Sequence, residues 1–153
     1  MLAQPIILIA LILLTGKYQP NIQLLNRGLG RAKNETQLAE FFRENGLPTP
    51  IFNNYDIGSY LIYVFYPDVQ VFVDNRPEAY SKGFLQETYI RAQLDPEFWQ
   101  NLVEEHQIKT VIFGIRDITP WAQQFLAYIE KDTNWKQVHL DQTTAVWIIQ
   151  DAP

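Results

Sequence analysis

The chain has 153 residues, of which 47% are hydrophobic and 14% aromatic, and this indicates about one well-packed domain rather than a disordered chain. It contains no cysteine, so disulfide frameworks, thiolate metal sites and cysteine nucleophiles are excluded. Residues 1–33 carry four basic and no acidic side chains, while the remaining residues carry 8 basic and 17 acidic ones, and so acidic a body argues against nucleic acid as a partner.

The first segment, residues 1–16, includes the apolar run PIILIALILL at residues 5–14. A membrane-spanning helix needs about 20 mostly apolar residues, so this run is too short to span alone. One interpretation is a buried strand or core helix. We favour a second, in which the run is the end of a transmembrane helix that begins outside the given sequence. Residues 17–33 then form a basic connector, and residues 34–150 form a single α/β soluble domain.

The first helix of that domain is predicted at residues 34–45, where Asn34 and Gln37 resemble a capping box and Gly46 supplies the stop. Strands and helices then alternate. Further helices are predicted at 56–66, 82–94, 95–107 and 119–131, with Asp56, Asp95 and Thr119 as their N-caps where a cap is present. Strands are predicted at 49–53, 69–73, 110–114, 135–140 and 145–150.

This order predicts an α/β fold with a three-layer-like mixed sheet of about five strands and with helices packed on it. The first three strands should be parallel, because helical connections join them. The last two strands flank the sequence DQTT and should form an antiparallel hairpin at the C-terminal end of the domain.

Polar residues follow each of the three predicted parallel strands, and the carboxyl ends of parallel strands meet at one edge of a sheet, where open α/β folds bind ligands. Amides, carboxylates and arginines at that edge suit a sugar or an anionic group such as phosphate. The structural alternative is that these groups cap a helix or pair with one another and so only hold loops, and we favour it. The candidates are Asn54, Asp56, Asp74, Arg76, Arg116 and Asp117.

Other chemistry finds little support. Ser59 and Ser81 do not lie in a nucleophile elbow, and His106 and His139 do not have the spacing of metal ligands. We therefore predict no catalytic residue, no metal site and no cofactor.

The order of the segments nevertheless resembles a known family. The stretches PIFNNYDIGSYLIYVFYPDVQVFVDNRPEAY (50–80), FWQNLVEEHQIKTVIFG (98–114) and AVWII (145–149) resemble the C-terminal soluble region of polytopic bacterial membrane proteins. Those proteins are similar to GT-C type, lipid-linked-sugar glycosyltransferases of the dolichyl-phosphate-mannose protein mannosyltransferase class. The resemblance covers residues 35–149 and rests mainly on core and turn positions.

This resemblance implies an α/β domain that follows the last transmembrane helix and lies outside the cytoplasm. The basic connector argues for the cytoplasmic side instead, and we adopt the extracytoplasmic one. The family's transfer chemistry is associated with an earlier loop and the membrane bundle, so no catalytic residue carries over.

We therefore expect a non-catalytic accessory domain of a membrane-bound glycosyltransferase-like protein. Its partners would be the membrane, through the apolar segment, and a lipid-linked sugar or acceptor, through the parent protein. The alternative is a free-standing α/β module that binds a small anionic or sugar ligand at the carboxyl edge of the strands.

Overall fold

The structure, a computed structural model, describes residues 35–150, so the apolar segment, the basic connector and the cap at Asn34 lie outside the described residues. Within that range, no helix is long and apolar enough to cross a membrane. The helices are α1 (Glu35–Asn45), α2 (Gly58–Phe65), α3 (Arg91–Leu94), α4 (Pro96–His106) and α5 (Pro120–Ile129). The strands are β1 (Ile51–Asn53), β2 (Thr110–Gly114), β3 (Trp135–Leu140) and β4 (Thr144–Ile149). Two 3-10 turns, Tyr55–Ile57 and Pro77–Ala79, and a π-helix, Phe84–Ile90, that leads into α3 complete the described elements.

The four strands form one mixed sheet in the order β1-β2-β4-β3. β1 and β2 are parallel, whereas β4 runs antiparallel to both β2 and β3. The mixed α/β class and the C-terminal antiparallel hairpin are therefore as predicted. The prediction of about five strands with three of them parallel is wrong, since the sheet has four strands and one parallel pair.

The missing strand is the segment 69–73, which has no regular strand structure. Its apolar alternation is real, because Val69 and Val73 are buried. However, the side chain of Asn53 takes the place of a neighbouring strand. The Phe72 N–H donates to Asn53 Oδ1 at 2.8 Å, and Asn53 Nδ2 donates to the Val73 carbonyl at 2.8 Å. The segment thus runs beside the end of β1 without a backbone ladder.

Side chains alternate along each strand, so the sheet has two apolar faces, and helices cover both of them. On one face, Phe52 and Phe113 pack with Trp99 of α4 and Phe125 of α5. On the other face, the strand residues Ile51, Ile112 and Val146 pack with Leu38 of α1 and with Leu61 and Phe65 of α2. The sheet is therefore the middle of three layers.

Three N-caps that were predicted from the sequence can be compared with the structure. Asp95 caps α4 as predicted, since its carboxylate accepts from the Phe98 N–H at 3.1 Å. Thr119 stands at the N-cap position of α5 but makes no side-chain capping bond. The prediction that Asp56 caps a helix is wrong, because Asp56 lies within a 3-10 turn and α2 begins at Gly58.

Candidate functional site

The parallel pairing of β1 with β2 brings the residues that follow these strands to one edge, which we call the strand-end edge. Asn53 pairs with Ile112 near the end of β2, so Asn54 and Asp56 lie beside the turn that contains Asp117. Because Gly114 pairs with Thr144, the loop between β3 and β4 reaches the same edge. Candidate residues that follow β1 are thus brought next to candidate residues that follow β2.

Asn54 and Asp117 form a buried polar pair at this edge. Asn54 Oδ1 accepts from the Gly114 N–H at 2.8 Å, and Asn54 Nδ2 donates to Asp117 Oδ2 at 3.1 Å. The other oxygen, Asp117 Oδ1, accepts from the N–H and the hydroxyl of Thr119 at 3.0 and 2.7 Å. Both carboxylate oxygens are therefore occupied, and the pair ties the end of β2 to the end of β1.

Asp74 and Arg76 form a second network with Tyr80. Asp74 is 1% exposed, and its two oxygens accept from Arg76 Nε at 2.9 Å and from Arg76 Nη2 at 2.7 Å. The Tyr80 hydroxyl donates to Asp74 Oδ2 at 3.1 Å and accepts from the Asp74 N–H at 3.0 Å. The hydrogen bond from the Arg76 side chain is the largest effect that lowers the pKa of Asp74, and burial opposes it. The two-pronged contact through Nε and Nη2 fixes the loop, while the Arg76 side chain stays 62% exposed.

The two arginines do not converge on a shared cleft. Arg76 is engaged by Asp74, whereas Arg116 is exposed and donates through Nε to the Gln142 carbonyl at 3.1 Å. Arg116 thus braces the loop between β3 and β4. The candidates that the structure brings together are therefore Asn54 with Asp117, and Asp74 with Arg76, while Arg116 bonds to the loop between β3 and β4.

Three residues that the sequence analysis did not select hold the loop 69–76 in place. Besides Asn53, Asn75 accepts from the Ser59 N–H at 3.3 Å and donates to the Asp56 carbonyl at 3.2 Å, so it supplies the start of α2 with a cap from a distant segment. Gly58 permits this close approach, since a Cβ there would lie 2.1 Å from the Val73 carbonyl oxygen. The sequence did contain a signal, namely the consecutive asparagines Asn53 and Asn54 at the end of a buried strand, because buried amides require hydrogen-bond partners.

Asp141 organises the β3–β4 loop at the same edge. Its Oδ1 accepts from the Thr143 N–H at 2.7 Å and the Thr144 N–H at 2.8 Å, and its Oδ2 lies 3.1 Å from His139 Nε2. Burial by itself would raise the pKa of Asp141, but these backbone donors and His139 outweigh it and lower the pKa to about 2. The contact of His139 is thus with Asp141 in the β3–β4 hairpin.

Asp56 is the candidate carboxylate that stays open to solvent, and it lines two cavities. A cavity of about 180 Å³ lies between Asp56, Asp117 and the aromatic side chains of Tyr89 and Trp121. Another of about 150 Å³ lies between Asp56 and the loop residue Thr143. Partial desolvation, and then the negative charge of Asp117, raise the pKa of Asp56.

The remaining polar groups of this edge are a buried tyrosine and the exposed Asp56. Tyr89 is buried, its hydroxyl accepts from the Tyr55 N–H at 2.8 Å, and burial raises its pKa, so it stays protonated. Among residues 35–150, no group of three or more His, Asp or Glu side chains could hold a metal ion. What the edge offers a ligand is a solvated carboxylate, Asp56, between two small cavities with aromatic and aliphatic walls.

Comparison with known proteins gives a likeness of fold. No protein-family model matches the chain, and no curated protein matches it. Among solved structures, the chain is similar to the C-terminal globular domain of an oligosaccharyltransferase from Archaeoglobus fulgidus, with a TM-score of 0.52 and 12% sequence identity. The alignment covers 80% of this chain and 100% of that one. At this identity the likeness shows the fold alone. It confirms, at that level, the expected resemblance to the globular domain of a sugar-transferring enzyme, while the bacterial and mannosyltransferase-like parts of the expectation stay predictions.

Proposed function

We propose that this chain provides a non-catalytic accessory domain, located outside the cytoplasm, of a membrane-bound glycosyltransferase-like protein. The observation that carries the proposal is the fold likeness to the globular domain of the oligosaccharyltransferase, because it spans the whole of that domain and 80% of this chain. In this arrangement the apolar segment 5–14 is the end of a transmembrane helix that anchors the protein, and the domain helps to position an acceptor or a lipid-linked sugar.

The geometry of the strand-end edge favours a structural role for most of the candidate side chains, in agreement with an accessory domain. Four of the six candidate side chains, Asn54, Asp74, Arg76 and Asp117, bond with one another or with adjacent backbone. The same edge presents Ile118, which is 90% exposed directly after the buried Asp117.

Cysteine labelling tests the location. Because the natural chain has no cysteine, Ile118→Cys introduces a single thiol at an exposed position, and Ala122→Cys, at a position that is 0% exposed, is the matched buried control. The chain is expressed in bacterial cells as part of its complete natural gene product, with any cysteine outside these 153 residues replaced, and the intact cells are treated with a membrane-impermeant maleimide and then fractionated. We expect the protein in the membrane fraction, with Ile118→Cys labelled in intact cells and Ala122→Cys labelled only after denaturation.

Two outcomes would overturn the proposal. Labelling of Ile118→Cys only after lysis would place the domain in the cytoplasm. Recovery of the protein in the supernatant would remove the membrane anchor and favour the free-standing module. Purified chain should also show no sugar transfer from polyprenyl-phosphate sugars to a peptide acceptor, and turnover would contradict the non-catalytic role.

The alternative, a module that binds a small ligand at the strand-end edge, is favoured by the position of Asp56 between two cavities. An anionic ligand fits poorly, because Asp56 and Asp117 line the larger cavity and no lysine or arginine of the described residues lines either cavity. A neutral sugar is the better version of this function. Calorimetric titration with monosaccharides would support it if Asp56→Asn lost binding while Asp68→Asn, at an exposed residue outside both cavities, kept it.

A further inference from the structure

The cavity of about 180 Å³ beside Asp56 has aromatic and aliphatic walls, and we call it the aromatic cavity. Tyr55 and Trp121 line it together with Leu85 and Ile90, and all four side chains are half-buried, so part of each is open to solvent. Ligand cavities are mostly apolar and carry only a few polar groups. The walls therefore suit a small ligand that is itself partly apolar.

One wall of the aromatic cavity is a π-helix, Phe84–Ile90, which supplies three of its lining residues, Leu85, Tyr89 and Ile90. The π-helix is rare and occurs frequently at functional sites. Here it brings the buried hydroxyl of Tyr89 to the Tyr55 N–H, at 2.8 Å. This bond ties the π-helix to the turn that contains Asp56, so the cavity is built on fixed backbone.

The charge around the aromatic cavity is negative. Asp56 and Asp117 line it, whereas no lysine, arginine or histidine of the described residues does. Burial is the largest cause that raises the pKa of Tyr55 and of Tyr89, and the negative charges of nearby carboxylates, including Asp56, add to it in both cases. A cation complements this charge, and an anion is repelled by it.

The hydrogen-bonding groups of the cavity decide which kind of cation fits. Both oxygens of Asp117 are occupied, by Asn54 and by Thr119, so the exposed carboxylate of Asp56 is the charged acceptor that is open to a ligand. A primary ammonium would exchange three hydrogen bonds with water for bonds to this one carboxylate. A quaternary ammonium has no donor to satisfy, its methyl groups match the aliphatic walls, and aromatic faces attract its charge.

We propose that the aromatic cavity binds a quaternary ammonium group of the choline type. Tyr55 and Trp121 contact its methyl groups, and the carboxylate of Asp56 balances its charge. This binding does not depend on the proposed accessory role, since residues of this chain alone form the cavity. Free choline and a phospholipid head group carry the same chemical group, and the test separates these two sources.

Nuclear magnetic resonance of the ¹⁵N-labelled 153-residue chain, kept soluble without a choline-containing detergent, tests the proposal. The four tryptophans supply indole N–H signals, and Trp121→Phe identifies the signal of Trp121. Choline chloride is the probe, and sodium chloride at equal ionic strength is the control. We expect a saturable shift of the Trp121 signal with a dissociation constant on the order of 1 mM.

A neutral analogue separates the effect of charge from the effect of shape. In 3,3-dimethyl-1-butanol a carbon atom replaces the charged nitrogen of choline, and the shape is otherwise kept. It should bind about tenfold more weakly than choline, because aromatic faces and a carboxylate attract the cation alone. Glycerophosphocholine identifies the source. Weaker binding than that of choline, which we expect because its phosphate meets Asp56, favours free choline, and tighter binding favours the lipid head group.

Two exposed aspartates provide a matched pair of variants. Asp56 lines the aromatic cavity, whereas Asp68 does not. Asp56→Asn should weaken choline binding about fivefold, because it removes the balancing charge, and Asp68→Asn should leave binding unchanged. Both side chains lie on the surface, so both variants should fold, and equal urea unfolding midpoints would verify this.

Any one of three results would contradict the proposal. The first is that choline causes no saturable shift of the Trp121 signal. The second is equal binding of choline and 3,3-dimethyl-1-butanol, or equal binding of choline by the Asp56→Asn and Asp68→Asn variants. The third is a saturable shift with glucose but not with choline, which would support the sugar-binding alternative instead.

Discussion

Replacing Asn53 by alanine should release the segment 69–76 from the end of β1. The Asn53 side chain is 0% exposed and bonds to the Phe72 N–H, the Val73 carbonyl and the Asn54 carbonyl at 2.8, 2.8 and 3.0 Å. Each buried backbone group left without a partner costs about 1–3 kcal/mol. Phe72 is half-buried, so water can reach its N–H more easily than it can reach the carbonyl of Val73. We therefore expect a loss of about 2–4 kcal/mol in the free energy of unfolding.

Urea unfolding followed by circular dichroism measures this loss, and amide hydrogen exchange locates it. In Asn53→Ala, the Phe72 amide should exchange faster, while the amide of Ile112, in the middle of β2, should keep its protection until global unfolding. Asn75→Ala is the matched control, because Asn75 also holds the loop but is exposed and makes two longer bonds of 3.3 and 3.2 Å. It should cost less than about 1 kcal/mol.

The reasoning would be refuted by a specific pair of results. If Asn53→Ala lost less than about 0.5 kcal/mol and the Phe72 amide stayed protected, the side chain would not be replacing strand pairing. Burial of Val69 and Val73 would then be what holds the segment in place. A change in the urea m-value would instead show that the variant alters the compactness of one of the two states.

Three further predictions concern stability. Gly58→Ala should cost about 2–3 kcal/mol in urea unfolding, since its Cβ would lie 2.1 Å from the backbone oxygen of Val73, and an unchanged midpoint would contradict this close approach. Asp95→Ala should cost about 1 kcal/mol through loss of the α4 cap, seen as a lower unfolding midpoint, and a neutral result would mean that the bond to the Phe98 N–H contributes nothing. The pKa of Asp141 falls from about 3.9 in the unfolded chain to about 2 in the folded one, so its contribution of at most about 3 kcal/mol is present above pH ~4 and is lost as the pH falls towards 2. Asp141→Asn should flatten this part of the stability curve, and an unchanged acid slope would show that other carboxylates produce it.

The sequence predicted those parts of the fold that depend on local signals. Helix α4 begins at Asp95 with Pro96 in its first turn, and both the cap and the proline are defined by neighbours within three residues. The strands β2, β3 and β4 are marked by apolar runs with clear breaks on either side. The antiparallel hairpin of β3 and β4 follows because the connection between them is too short for any other arrangement.

The errors arose where one side chain acts on a distant backbone. Segment 69–73 has the composition of a strand, but its partner is an asparagine side chain about 20 positions earlier, which no local pattern encodes. Asp56 is a residue type that often caps helices, but here it is Asn75, from a distant segment, that accepts from the Ser59 N–H at the start of α2. At the candidate site, mutual pairing of the charged groups was the favoured interpretation and Asp74 does pair with Arg76, whereas the pairing of Asn54 with Asp117 was not predicted. Asn54 and Asp117 are separated by 63 positions.

These pairings bear on where recognition takes place. A polar group that is buried and fully bonded to its own chain fixes geometry, and it cannot bond to a ligand without first breaking those bonds. Asp74 and Asp117 are in that position, and Arg76 is held by Asp74 although its side chain is 62% exposed. Asp56, in contrast, remains open to solvent beside two cavities at the strand-end edge. Ligand contacts should therefore be sought first at Asp56, and the charged segment 74–78 should be treated as part of the scaffold.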